Sequence, residues 1–142
     1  MDKKEFVGTW KLVSAEYRFA DGERSKLYDA GILMYDAHGN MSVQLMQHNR
    51  PAFAKSDRLG GTLEEVQAAF QGYQAYYGTY TIDEKQRAAT HHLVGALLPN
   101  WVGVDQVRFY ELSDNQLTLR TPPLLMRGKD AVGYLVWQRM PR

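Results

Sequence analysis

The chain has 142 residues, no cysteine, a net charge of +1, and hydrophobic and charged shares of 44% and 23%. That length supports one domain with one core. The lack of thiols excludes disulfides and thiolate-bound metals, and lysines and arginines interleaved with acids argue against nucleic acid or an anionic membrane as partner.

No stretch approaches the roughly 18 apolar residues of a membrane span. The opening Met1-Asp2-Lys3-Lys4-Glu5 carries no apolar run behind its charges, so a soluble cytoplasmic protein is expected. Residues 9–19 (TWKLVSAEYRF) read as a long first strand, and Asp21-Gly22 supplies a hairpin turn. A second strand lies within 25–36, and a third spans 41–47 with Met41, Val43 and Leu45 on one face. Residues 49–61 contain Pro51 and two glycines and read as coil.

Thr62-Leu63-Glu64-Glu65 then forms a capping box. Leu63, Val66, Phe70, Tyr73 and Tyr77 follow at helical spacing. The spacing predicts one substantial helix near 62–75, whose apolar stripe should cover the open end or flank of the sheet. Strand character returns at 76–83 and 88–95. A structured loop (ALLPNWVG) fills 96–103, and strands follow at 104–112, 117–121 and 132–140. About eight strands joined mostly by short turns are antiparallel neighbours. Each must bury one face, and closing the sheet removes its exposed edges. Eight strands enclose an interior that side chains can fill or that can hold one small ligand. The expected fold is therefore all-β, an eight-stranded antiparallel up-and-down barrel with one covering helix.

Phe6-Val7-Gly8-Thr9-Trp10-Lys11-Leu12 resembles the opening G-x-W signature of calycins, the lipocalins and fatty-acid-binding proteins. Further similar segments are Tyr77-Gly78-Thr79-Tyr80-Thr81-Ile82-Asp83, His91-His92, Pro99-Asn100-Trp101-Val102-Gly103 with Gln106 and Arg108, Thr121-Pro122-Pro123 and Leu135-Val136-Trp137-Gln138-Arg139. Together, from about Phe6 to Arg139, they look like the lipocalin-like domain family of bacteria and fungi. The resemblance implies that Trp10 plugs the closed end of the barrel with Arg139 packed across it. Fatty-acid-binding proteins place a helical hairpin straight after the first strand. This chain has a turn there, so a fatty-acid carboxylate site does not transfer.

Several residues are candidates for chemistry. Neighbours in a strand point to opposite faces, so one of His91 and His92 faces inward and the other outward. Either a hydrogen-bonded structural histidine or a neutral imidazole acting on a ligand fits the pattern. Gln106 and Arg108 share a face of their strand with Tyr110, while Val107 and Phe109 take the other. A barrel puts apolar residues inside, which leaves Gln106 and Arg108 exposed; if they point inward instead, the guanidinium needs a partner, and a ligand carboxylate, enolate or phenolate would serve. Asn100 and Trp101 could form a binding rim or anchor their loop. Tyr73, Tyr76, Tyr77 and Tyr80 crowd one junction, and one of these phenols could serve as a donor. No H-x-H or H-x-x-x-H spacing, G-x-G-x-x-G or P-loop occurs, so neither metal nor cofactor is expected.

Three functions compete. The first is binding of a small, mostly apolar or aromatic molecule, with His91, Asn100, Trp101, Gln106, Tyr73, Tyr77 and Tyr80 as candidate contacts. The second is a cofactor-independent isomerase or cyclase on a polyketide-like or terpenoid substrate, with His92 and Arg108 as catalytic candidates. The third is an interaction module with a filled barrel. The sequence leaves the oligomeric state open.

Overall fold

A computed structural model describes residues 2–141. A short helix α1 (Asp2–Phe6) leads into β1 (Gly8–Phe19), β2 (Arg24–Ser25), β3 (Ala30–Tyr35), β4 (Asn40–Met46) and helix α2 (Leu63–Gln71). The chain continues through β5 (Tyr73–Asp83), β6 (Ala88–Ala96), a 3-10 turn (Pro99–Trp101), β7 (Asp105–Leu112), β8 (Gln116–Arg120), β9 (Leu124–Met126) and β10 (Lys129–Arg139). Eight strands run in the order β1-β3-β4-β5-β6-β7-β8-β10, all antiparallel. β10 then pairs back onto β1 from Trp10↔Arg139 to Phe19↔Ala131, which closes the barrel. The two-residue β2 and three-residue β9 hang on β1 and β10 at one mouth.

Alternation drives the closure. In β4 Met41, Val43 and Leu45 are buried, while their neighbours are half-buried or exposed. In β10 Ala131, Gly133, Leu135 and Trp137 turn inward in the same way. Each strand thus has one apolar face that only a shared interior can cover.

The closed end is built around Trp10, which is fully buried. Its indole N–H donates to the Phe6 carbonyl at 3.0 Å, tying α1 under the barrel floor. The Arg139 guanidinium lies 4.3 Å over the indole and donates to the Val7 carbonyl at 3.0 Å and to the Glu5 carbonyl. Gly8 adopts φ 141°, which a residue with a side chain rarely tolerates. A Cβ there would also sit 3.2 Å from Arg139 Nη1. The glycine of G-x-W is thus needed for the turn from α1 into β1 and for the room that Arg139 takes.

Helix α2 departs from the sequence reading. It is capped as the sequence suggests: Thr62 Oγ1 accepts from the Glu65 N–H at 3.2 Å, and Glu65 accepts from the Thr62 N–H at 2.9 Å. It stops at Gln71, however, and Tyr73 already belongs to β5. The three- and four-residue spacing of Phe70, Tyr73 and Tyr77 mixes the end of a helix with a strand that alternates inward Tyr76, Gly78 and Tyr80 with outward Tyr77 and Thr79. Nor does the helix cover the barrel: none of its residues is buried, and Leu63 is 89% exposed. Between Tyr77 and Gly78 the β5–β6 register slips by one residue. A Cβ on Gly78 would meet the His92 carbonyl oxygen at 1.9 Å, so this bulge requires glycine.

Candidate functional site

The barrel interior is filled at the Trp10 end and hollow toward the other. The hollow holds about 200 Å³. Its apolar wall comes from Leu33 of β3, Val43 and Leu45 of β4, Leu119 of β8 and Leu135 of β10. Aromatic rings complete it: Tyr17 of β1, Tyr28 from the loop before β3, Trp101 from the 3-10 turn and Trp137 of β10. Leu124–Met126 of β9 rim the mouth. One side is polar, with Tyr76 of β5 and Arg108 of β7.

Arg108 is 7% exposed. It reaches the inside because β7 turns Gln106, Arg108 and Tyr110 inward and lays Val107 and Phe109 on the outer wall, where Arg120 stacks 4.7 Å over Phe109. The inward option for the Gln106/Arg108 face is the one the fold adopts. Arg108 Nη1 donates to Gln106 Oε1 at 3.3 Å and to the Val107 carbonyl at 2.9 Å. Among the described residues no carboxylate lies within ion-pair distance of it.

Behind the polar side lies His91, 1% exposed. Its Nε2 is 2.6 Å from the Tyr35 hydroxyl, and its Nδ1 is 2.8 Å from the Tyr76 hydroxyl. Burial, the Arg108 charge and then the His92 charge hold the His91 pKa well below 6.5, so the ring is neutral. Burial likewise raises the Tyr76 phenol, with Arg108 pulling the other way, and lifts Tyr35 well above 10. Tyr28 is pushed up to about 12 by burial. The hydroxyls facing the hollow are therefore protonated and can donate.

The His91 shift has a consequence for stability. An unfolded chain gains a proton on this ring as pH falls through 6.5, and the folded chain does not. The contribution of neutral His91 is complete above pH 6.5 and declines below it toward the depressed folded pKa, by up to about 1.4 kcal/mol per pH unit. Urea midpoints measured between pH 6.5 and 5 should fall in the wild type and fall less in His91→Leu. Equal slopes would show that the ring titrates alike in both states.

The other candidate residues are scattered by the fold. His92 points outward: Nδ1 is 2.8 Å from Asp105 Oδ1 and Nε2 is 3.1 Å from Thr81 Oγ1, both at the surface. It does not meet Arg108, which has Tyr76 and, behind it, His91 as its neighbours. Tyr77 is 57% exposed on the outer wall. Tyr73 donates to Gln44 Oε1 at 3.3 Å, stacks under Arg50 and lines an outer groove beside α2. Tyr80 is buried below the hollow and donates to the Asp36 carbonyl at 2.7 Å. Asn100 is exposed next to Trp101, whose ring is 6.1 Å from that of Tyr76. Tyr17, Tyr28 and Trp137 were not singled out from the sequence. Tyr17 alternates with Glu16 and Arg18, which marks it as inward-facing, but Tyr28 follows Leu27 in a loop and Trp137 follows Val136, and no local pattern shows that the three face empty space.

Residues 7–140 match the family model described as a lipocalin-like domain. The 4'-hydroxy-3'-methoxypropiophenone carrier protein ppsC of Aspergillus oryzae (strain ATCC 42149 / RIB 40) is 31% identical over 109 residues, covering 72% of this chain and 98% of that protein. A lipocalin-like protein of Bacteroides uniformis ATCC 8492 superposes with a TM-score of 0.52 at 15% identity, covering 96% of this chain and 99% of the other. Among the described residues no helix is long and apolar enough to cross a membrane.

Proposed function

Because the chain belongs to the lipocalin-like domain family, we propose that it binds and carries one small, mostly apolar aromatic molecule in the barrel hollow. The observation that carries this reading is the hollow itself, a volume of about 200 Å³ walled mostly by leucines and aromatic rings, with Tyr76 and Arg108 among its few polar groups. A dry cavity of about 150 Å³ accepts benzene. The space here suits one ring with short substituents. A hydroxyaryl ketone, the class named for the Aspergillus oryzae relative, matches this shape, with its ring against Trp101 and Trp137 and an oxygen toward Arg108.

The composition of the wall supports carriage over proton-transfer catalysis. Among the described lining residues there is no aspartate, glutamate or histidine to take a proton from a bound molecule. His91 lies behind Tyr35 and Tyr76 with both ring nitrogens engaged. A filled barrel would leave no such hollow.

Calorimetric titration with 4'-hydroxy-3'-methoxypropiophenone should give one site per chain, a negative heat-capacity change from apolar burial, and quenching of indole fluorescence. Val43→Trp, which places a second indole in the hollow, should abolish binding while the chain stays folded. Absence of saturable binding, or equal binding by folded Val43→Trp, overturns the reading.

A further inference from the structure

We propose that the hollow takes its ligand as an oxygen anion, a phenolate or enolate, held by the Arg108 guanidinium and by the Tyr76 O–H, with His91 and Tyr35 acting from behind as positioning residues. This rests on the binding function above and specifies the charge state of what is bound.

Arg108 carries the first part of the case. A guanidinium stays charged in any protein environment. Here it is buried in an apolar wall with neutral partners alone, Gln106 Oε1 and the Val107 carbonyl on Nη1 and the Tyr76 hydroxyl beside it, and among the described residues no anion faces it. The groups around it are Tyr17 from β1, Tyr28 before β3, Tyr76 and Gln74 from β5, His91 from β6, Gln106 on its own strand, Thr121 after β8 and Trp137 from β10. Phenols, amides, a neutral imidazole, a hydroxyl and an indole carry no negative charge. A buried cation without a counter-charge is costly, and a ligand that brings the charge removes that cost.

Tyr35 carries the second part. A neutral imidazole has one N–H and one lone pair, so one of its two tyrosines donates to it and the other accepts from it. Tyr35 is 2% exposed, and its hydroxyl meets His91 Nε2 and no other polar group among the described residues. Were Tyr35 to accept, its own O–H would be buried without a partner, at a cost of about 1–3 kcal/mol. Tyr35 therefore donates to Nε2. Nδ1 carries the proton and donates to Tyr76, and the Tyr76 O–H is left to point into the hollow. The Trp137 ring lines the same wall, and its buried indole N–H has no hydrogen-bond partner among the described residues. Arg108 and Tyr76 thus both present donors to the hollow, which favours a ligand oxygen that only accepts.

Binding is then coupled to ionisation. A phenol enters, its O–H bond breaks, the proton passes to solvent through the mouth, and the phenolate oxygen remains on Arg108 and Tyr76. The probe is 4-nitrophenol, whose yellow anion and colourless acid are separated by absorbance, with 4-nitroanisole as a non-ionising control of the same shape.

In the wild type the bound nitrophenol should ionise at a pH at least about one unit lower than free nitrophenol, a tenfold preference for the anion. Arg108→Met should lose that shift while still binding nitroanisole, and Arg108→Lys should keep part of it. Tyr35→Phe, which does not touch the hollow, should reduce the shift without weakening nitroanisole binding, an outcome a purely structural Tyr35 would not give. Nitrophenol bound as its colourless acid, or an undiminished shift in folded Arg108→Met, overturns the proposal. Failure of both probes to bind overturns the binding function itself.

Discussion

Trp10→Ala will cost the barrel about 3–5 kcal/mol, the range for deleting a buried large aromatic side chain. Against a total stability of about 5–15 kcal/mol, that brings the variant near the edge of folding. The effect is large because one ring fastens three elements. The indole receives no solvent, its N–H holds the Phe6 carbonyl of α1, and its face supports the Arg139 guanidinium of β10. Arg139 in turn caps the carbonyls of Val7 and Glu5, so losing the ring loosens the β1–β10 seam that closes the barrel. The cation–ring contact adds about 0.5–2 kcal/mol to the cavity term. Urea unfolding followed by far-UV dichroism measures the change. Trp10→Phe should recover the packing but not the hydrogen bond, and so fall between the two. A Trp10→Ala midpoint within about 1 kcal/mol of wild type, the typical surface value, would refute the plug.

The barrel was readable because its physics is local and repetitive. Met41-Ser42-Val43-Gln44-Leu45 alternates, Asp21-Gly22 and His38-Gly39-Asn40 turn the chain, and closure is the only cover for eight such faces. The helix was readable at its start, where Thr62 and Glu65 satisfy each other within four residues. Its end was not. Aromatic residues at 73 and 77 fit a helical stripe and a strand equally well, and pairing with β4 from Asn40↔Thr79 to Met46↔Tyr73 decides for the strand. The five residues of α1 carry too short a pattern to announce a helix, which depends on the Trp10 N–H reaching Phe6.

The hollow was harder to read because its direction depends on partners far along the chain. Parity separates His91 from His92 but not inside from outside. What settles it is the company each keeps: His91 shares a strand face with the buried Ala89 and Leu93, and Thr81 and Asp105 from the neighbouring strands hold His92 at the surface. In β7 apolarity alone favours an inward Val107 and Phe109. The fold does the reverse, because Phe109 finds cover under Arg120 outside while Arg108 meets the hydroxyl side of the hollow. Tyr17, Tyr28 and Trp137 come from three distant stretches, and only closure brings them around one space.

Arg108→Met should make the empty protein more stable and the loaded protein less so. In the absence of ligand the guanidinium is a desolvated charge with no anion within ion-pair reach among the described residues. Replacing buried charge with an apolar side chain of similar length stabilises by about 1–4 kcal/mol where packing allows, and the neighbouring Leu119, Val43 and Trp137 offer an apolar surface for the thioether. The lost bonds to Gln106 and the Val107 carbonyl offset part of this, and because both acceptors are neutral they repay less of the guanidinium's desolvation than a carboxylate would. The net sign is a gain. With ligand the sign reverses: removing the cation from a buried charge pair costs about 2–5 kcal/mol of binding, a loss of tens- to thousands-fold in affinity. Thermal melts with and without 4'-hydroxy-3'-methoxypropiophenone should therefore cross. The variant should melt higher alone, and the wild type should gain more from ligand. A variant that melts lower even when empty would mean that Arg108 holds the wall together, and its lack of a counter-ion would then have no bearing on what the hollow binds.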